Sequence, residues 1–548
     1  MSRHPFALSV TLISLALTAA AARAQAPVNE LESLLAPGAS INDRMGDVLA
    51  CDASWLVAGV PTRATTIQSA GIVAVWPRVG SSVGAPIQLE SPTPANGGQF
   101  GAAVALDGDA LCVTEPNSRH FGLPARGAVH VFRLINGVWT HAESVPSPST
   151  ANGFGFACAL EGDVLAVGAP YQPLPFASLG AAFVFRRIAG QWVQEGMPTA
   201  SDGASGDRFG SSIALSGDRL VVGAPMKTLA GQIEGAAYAF ARVGGAWSET
   251  ARFAVDPGVG DFGLGVSAAL QGTTACFGAA RTNNRGAVYQ FVDSGAGWAR
   301  VERLQPALLG PFATFGHALS LRGDTLLVGA YQDSVTSLYS GAAWVYQRAG
   351  ATFTPTVRLV GSLVPGAVFG KGVATDGAGW HAVGESVRTL PGAPASSGAV
   401  HLFRPDRPLG SNYCTPVANS TQRTGAIAAL GSEVVALDQL TLVAYQLPNN
   451  SFGFFLASQA QANIAHPGGS QGVLCLGGSI GRYVGAGQIR NTGTAGTFAL
   501  PLDLTATPTP QGLVAVAPGE TWNYQAWHRD NVGGATSNFT DAVSVVFQ

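Results

Sequence analysis

The sequence predicts an all-β protein: a seven-bladed β-propeller followed by a C-terminal β-sandwich. Three observations carry this expectation. A Phe-Gly pair recurs at near-constant spacing, apolar residues alternate with period two between the pairs, and the 548 residues include 71 glycines but only 11% charged residues. The pair stands at Phe100-Gly101, Phe154-Gly155, Phe209-Gly210, Phe262-Gly263, Phe315-Gly316 and Phe369-Gly370, preceded by a degenerate Met45-Gly46. The glycine-to-glycine intervals are 55, 54, 55, 53, 53 and 54. Repetition on this scale marks supersecondary units that bury their faces only against each other.

Each unit reads as four short antiparallel strands. In the clearest copy, residues 211–215 alternate around Ile213 and Leu215. Ser216-Gly217-Asp218 turns the chain, and 219–223 form a second run. Residues 235–242 alternate through Tyr238 and Phe240, Gly244-Gly245 turns again, and a fourth strand begins at Trp247. The seventh copy stops at Arg404-Pro405 without such a strand, whereas residues 30–37 precede Met45-Gly46 as fourth strands precede the other pairs. The N-terminal segment is therefore expected to complete the last blade, which closes the ring and removes a free edge.

The ends and the composition bound the compartment and the class. Residues 1–24 combine Arg3 and His4, an apolar run from Phe6 to Ala22 and the small-x-small site Ala22-Arg23-Ala24, the pattern of a signal peptide. Export is expected, with the propeller over 25–407. No later apolar run approaches the ~20 residues of a transmembrane helix. A net charge of −3, with Lys227 and Lys371 as the two lysines, leaves no basic face for nucleic acid. Four cysteines (Cys51, Cys112, Cys158, Cys276) sit in apolar strand-like runs and read as small buried hydrophobes. Cys414 and Cys475 are the pair in the C-terminal region, where an exported chain permits a disulfide.

After residues 404–408 the repeat ends, and residues 410–548 read as one β-sandwich. Its alternating runs are Glu433–Ala436, Gln439–Gln446, Phe452–Leu456, Thr497–Leu504 and Ala542–Phe547. Alternation of Trp522, Tyr524 and Ala526 puts one strand face in the core, with a carbohydrate-stacking platform as the sharper alternative. Asn538-Phe539-Thr540 matches a glycosylation triplet.

The Phe-Gly starts, together with Val-Gly-Ala-Pro at 167–170 and 222–225, resemble FG-GAP repeats, the blades of the integrin α-subunit propeller, of which bacterial secreted proteins carry similar arrays. The resemblance covers about residues 28–405. It implies a secreted or cell-surface propeller that serves adhesion or ligand binding, and many such repeats hold calcium in an Asp-rich turn. Here those turns shrink to Asp107-Gly108-Asp109, Glu161-Gly162-Asp163, Ser216-Gly217-Asp218 and Arg322-Gly323-Asp324. Two or fewer acids in so tight a hairpin do not supply six to eight oxygens, so no calcium or other cofactor is expected. Arg322-Gly323-Asp324 reads as the blade-six turn rather than an attachment tripeptide. Asp202 with Asp207, and Asp256 with Asp261, read as solvated acids of inter-blade loops, with a weak calcium site as the alternative.

A ligand face is expected where the loops between second and third strands gather with those between blades. Its candidates are Arg119, His120, Tyr171, Arg281, Asn284, Arg285, Tyr331, Asp333 and Tyr339, because aromatic planes beside Arg, Asn and Asp suit an extracellular carbohydrate or protein ligand. No Gly-x-Ser-x-Gly, His-Glu-x-x-His or phosphate-binding Gly-Lys-Ser/Thr occurs, and His130 and His401 occupy matching third-strand places. A non-catalytic binding protein is expected. The alternatives are an exported polysaccharide-acting enzyme with its site in the axial funnel, or a structural cell-surface component.

Overall fold

The computed structural model describes residues 30–547 except 80–81, 119–125, 149–152, 172, 175–176, 230, 256–259, 281–284, 308, 335–337, 362–364, 389–392, 405–408, 432, 434, 436–437, 439 and 532–533. Residues 1–24 and Asp256 therefore lie outside the described residues. Among those described, seven small antiparallel sheets follow one another up to Phe403, six of four strands and the first, Val48–Leu89, of five. The clearest consists of Ser212–Ser216, Arg219–Ala224, Ala236–Val243 and Ala246–Phe253. The first strand of each sheet lies against that of the next, and Phe369–Thr375 returns to lie against Val48–Cys51. This all-β ring of small sheets has the architecture of a propeller. The last sheet takes its outer strand from the start of the chain: Glu30–Leu34 pairs antiparallel with Ala399–Phe403, with Leu34 opposite Val400.

The Phe-Gly pair is what joins one sheet to the next. The Phe209 N–H donates to the Leu179 carbonyl of the preceding sheet, and the same bond recurs from Phe100 to Ala70, from Phe315 to Arg285 and from Phe369 to Ser340. From Met45 to Ser397 it joins the first sheet to the last. The ring of each Phe is buried in the junction, contributing about 1.5–3 kcal/mol. The following glycine takes positive φ and presses its backbone against a second-strand glycine across the junction. A β-carbon on Gly329 would stand 2.0 Å from the Gly370 carbonyl oxygen, and Gly384 meets Gly46 in the same way where the ring closes. Sheet two is the exception, with Thr114 in the place of that second-strand glycine.

One interval needs correction. In sheet five the buried marker is Leu264-Gly265, not Phe262-Gly263. Leu264 forms the parallel bridge to Gly235 and is fully buried, whereas Phe262 stays partly exposed. Phe253, packed on Phe277 and Phe291 at 5.0 and 4.4 Å, fills volume in that junction, so leucine suffices there. The true intervals on either side are 55 and 51 residues.

At the other end of the ring, the short turns bond to one another. Asp107 Oδ2 accepts the Gly162 N–H at 2.7 Å, Glu161 Oε2 that of Gly217 at 2.6 Å, and Ser216 Oγ that of Gly272 at 2.9 Å. The first residue of each of these turns thus clasps the next sheet. Asp324 of the Arg-Gly-Asp turn lies 3.6 Å from Arg348, and Arg322 reaches the Leu106 carbonyl.

Residues 409–547 form a separate set of sheets. One joins Ser411–Tyr413, Ala535–Val546, Thr521–Asn531 and Phe452–Ser458 with two short strands; another joins Ala426–Gly431, Leu440–Tyr445 and Phe498–Pro501. Both face one buried cluster that includes Ile427, Leu442, Phe455, Trp522, Tyr524 and Val543. Burial of Trp522 and Tyr524 removes the stacking-platform alternative. Asn538 is likewise buried, its amide donating to the Val417 and Ala418 carbonyls, so the glycosylation triplet is not accessible. Ala426–Gly431 forms a strand of the second of these sheets, and of the alternating run at Glu433–Ala436, Val434 and Ala436 lie outside the described residues. Cys414 and Cys475 are bonded, with Cα atoms 6.2 Å apart.

Two measurements check these junctions. Gly329→Ala, at a position without positive φ, is expected to destabilise the protein by about 1–3 kcal/mol in urea unfolding, since its new methyl meets backbone. Removing residues 25–40 uncovers the Ala399–Phe403 edge and is expected to lower the melting temperature by several degrees; an unchanged melting curve would count against closure by this strand.

Candidate functional site

The junction geometry aims one residue per sheet at the axis. Because the marker glycine is held against the neighbouring sheet, the next side chain turns inward. Those seven side chains, Asp47, Ala102, Phe156, Ser211, Val266, His317 and Lys371, all line one open funnel of about 670 Å3. A second tier comes from positions two past the second-strand glycine (or, in sheet two, Thr114): Pro61, Pro116, Pro225, Ala280 and Tyr331. Arg208 and Gln99, immediately before their marker phenylalanines and at φ of 59° and 62°, reach the wall from the inter-sheet loops.

The funnel has two unlike halves. Sheets six, seven and one contribute a cluster of titratable groups. Lys371 Nζ lies 2.7 Å from Asp47 Oδ2, and the His317 and Tyr331 rings meet edge to face at 4.5 Å. Burial, reinforced by the Lys371 charge, pushes the His317 imidazole down to about 4, so it is neutral near pH 7. Burial and then Asp47 raise the Tyr331 phenol. The other half, from sheets two to five, is mostly apolar and carries an aromatic corner. Phe156 and Tyr171 are 44% and 42% exposed, with ring planes at 89° and centroids 6.0 Å apart. The exposed Arg208 guanidinium lies 5.6 Å from the Tyr171 centroid.

The residues singled out from sequence meet different fates. Tyr331 lines the funnel, and Tyr171 joins its rim through Phe156 and Arg208. Arg285 and Tyr339 are exposed but are not among the funnel-lining residues. Arg119, His120, Arg281 and Asn284 lie outside the described residues. Asp333 must be corrected: it is fully buried, 2.6 Å from Arg358, and accepts the Gly310 N–H, so it fixes a loop instead of facing a ligand. Sequence reasoning missed Asp47, Phe156, His317 and Lys371. Their signal was present, since each directly follows a marker glycine, the variable place beside the most regular one.

Of the inter-sheet acids, Asp202 is exposed, whereas Asp207 and Asp261 are buried rather than solvated. Asp207 is buried 2.9 Å from Lys227, whose ammonium also donates to the Asp202 carbonyl and lies 3.4 Å from the Asp202 carboxylate. Asp261 is buried against Arg303 at 2.6 Å and accepts from the Tyr289 hydroxyl. Protein cations thus sit among these carboxylates. Among the described residues no group of three or more acids, histidines or cysteines gathers to hold a metal. His130 and His401 do more than mark a repeat position. They are buried 2.9 and 2.8 Å from Glu115 and Glu385, which replace the alanine of Val-Gly-Ala-Pro in sheets two and seven.

The depressed His317 gives a signed prediction. Its folded form binds a proton less readily than the unfolded chain, so its contribution is fully present above pH ~6.5 and is lost as pH falls towards 4. His317→Phe is expected to flatten the loss of stability across that window by up to about 3 kcal/mol in urea unfolding at stepped pH.

The family model for the FG-GAP repeat matches residues 192–240 and 298–346. Each match begins at the tryptophan of one outer strand, Trp192 or Trp298, and ends within the third strand of the next sheet, so it spans a whole junction. No curated protein matches the chain. Among the described residues, no helix is long and apolar enough to cross a membrane. The chain thus carries FG-GAP repeats at two positions within a ring of small antiparallel sheets, the arrangement of a β-propeller.

Proposed function

We propose that the seven sheets are the blades of one closed propeller over residues 25–407, carrying a β-sandwich module at 410–548. On this reading the protein is exported after removal of residues 1–24 and binds an extracellular glycan or protein ligand in the funnel without turning it over. One observation carries the proposal: the variable residue after every marker glycine converges on a single open concavity, while the surrounding positions keep the same fold-forming residues. Exposed aromatic planes at Phe156 and Tyr171, with the Arg208 donors beside them, supply stacking area and directional bonds. Glycoside hydrolysis requires two carboxyl groups about 5–9.5 Å apart across the bond. Among the described residues of the wall, Asp47 is the one carboxylate, and it is paired with Lys371. That favours binding over hydrolysis.

The test is a glycan array and a panel of extracellular matrix proteins, probed with residues 25–548. Retention without product is expected, and released product would replace the reading by the enzyme. The triple variant Phe156→Ala, Tyr171→Ala, Arg208→Ala is expected to weaken retention at least about tenfold with an unchanged melting temperature. Undiminished retention would move the site out of the funnel. Because the turn acids are engaged by neighbouring blades, micromolar calcium is expected to leave the melting temperature unchanged.

A further inference from the structure

Each blade junction packs the second-strand residue two before the glycine position against the first-strand residue three past the next marker glycine. The pair is Val57 with Val104, Ala166 with Ile213, Val221 with Ala268, Cys276 with Leu319, Leu327 with Val373, and Ala382 with Leu49, and each pair shares one buried cluster. At the junction of blades two and three the same two places hold Cys112 and Cys158. Cys112, within Ala110–Glu115, is fully buried, and Cys158, within Ala157–Glu161, is half-buried. Both side chains belong to the same buried cluster, and the neighbouring Cys158 adds to burial in holding the Cys112 thiol well above its usual range. Register alone thus brings them together, and no other junction carries a cysteine at both places.

We infer that Cys112 and Cys158 are an oxidation site, forming a second disulfide that links blade two covalently to blade three. The inference rests on the exported location proposed above, where disulfides persist. The oxidant is a disulfide, either oxidised glutathione or a thiol–disulfide oxidoreductase of that compartment. The Cys158 thiolate, on the more accessible strand, attacks one sulfur of the oxidant and expels its partner as a thiolate. The Cys112 thiolate then attacks the Cys158 sulfur of this mixed disulfide, the Cys112–Cys158 bond forms, and the second oxidant thiolate leaves. Two electrons pass from the cysteine pair to the oxidant, and the two cysteine protons go to the departing thiolates. Burial holds the Cys112 thiol well above the usual thiol range, so this second step is fastest while blade three is still docking and the junction is open.

The experiment equilibrates purified residues 25–548 in glutathione buffers from reducing to oxidising, alkylates the remaining thiols and maps them by mass spectrometry. Cys414–Cys475, already bonded in the structure, is the internal standard. The expected result is alkylation of Cys51 and Cys276 alone at oxidising ratios, with a linked peptide pair containing Cys112 and Cys158. The intact mass would be about 2 Da below that of the singly bonded form. Alkylation of both Cys112 and Cys158 at ratios where Cys414–Cys475 is bonded would overturn the inference, as would glutathione left on Cys158. The oxidised protein should melt higher than the reduced one, and Cys112→Ala/Cys158→Ala should lose that difference. If the double variant fails to fold, the thiol map of the unaltered protein still decides. Export is tested separately, by whether the chain with residues 1–24 appears outside the cell, so the two readings fail independently.

Discussion

The structure depends on a backbone contact too close for any side chain. At six of the seven junctions a marker N–H donates into the preceding sheet, and at every one the following glycine lies against its second strand, so two sheets approach as neighbouring strands do. A β-carbon at Gly59, Gly168, Gly223, Gly278 or Gly329 would fall within about 2.1 Å of a carbonyl oxygen across the junction. A small four-stranded sheet has two apolar faces and no second layer of its own. The close approach lets each face be buried by its neighbour, and seven clusters of apolar side chains fill the seven junctions. Glycine is abundant because these contacts require it, and charge is scarce because so much of each strand is interior.

The same contact makes the funnel. Fixing the marker glycine fixes the direction of the next side chain, so the wall is a ring of residues free to vary on a backbone that is not. Asp47, His317 and Lys371 on one side and Phe156 beside Arg208 on the other show how unlike chemistries share one register. Blade closure and site geometry are two results of one arrangement. Disturbing a junction glycine therefore disturbs the wall as well, although it touches no ligand group. The acids of the inter-blade loops belong to the scaffold too: Lys227, Arg303 and Arg358 neutralise Asp207, Asp261 and Asp333 out of water. Paired and hydrogen-bonded charge is the form in which a buried carboxylate is tolerated.

Much of this was legible in the residue order, and the exceptions have physical causes. Four strands per unit followed from period-two alternation and Gly-Asp turns, both local properties. The partnership of Glu30–Leu34 with Ala399–Phe403 was legible as a missing strand at one end and a spare one at the other. Leu264 was misread because a pattern search favours Phe262-Gly263, while burial selects whichever apolar residue completes a pocket that Phe253 has already narrowed. Asp333 was misread because loop position suggests exposure, and its Arg358 partner arrives from a strand of the same sheet.

The sequence by itself determined the unit and its repetition. Alternation, turn residues and glycine spacing act over a few residues and need no partner, so they can be read in line. Tertiary structure decided which side chains meet. Lys371 faces Asp47, Arg208 stands beside Tyr171, and Cys112 shares a buried cluster with Cys158, pairs drawn from different blades. Their proximity exists only once the ring sets the rotation of each blade relative to the next, and that rotation comes from junction packing that no single repeat contains.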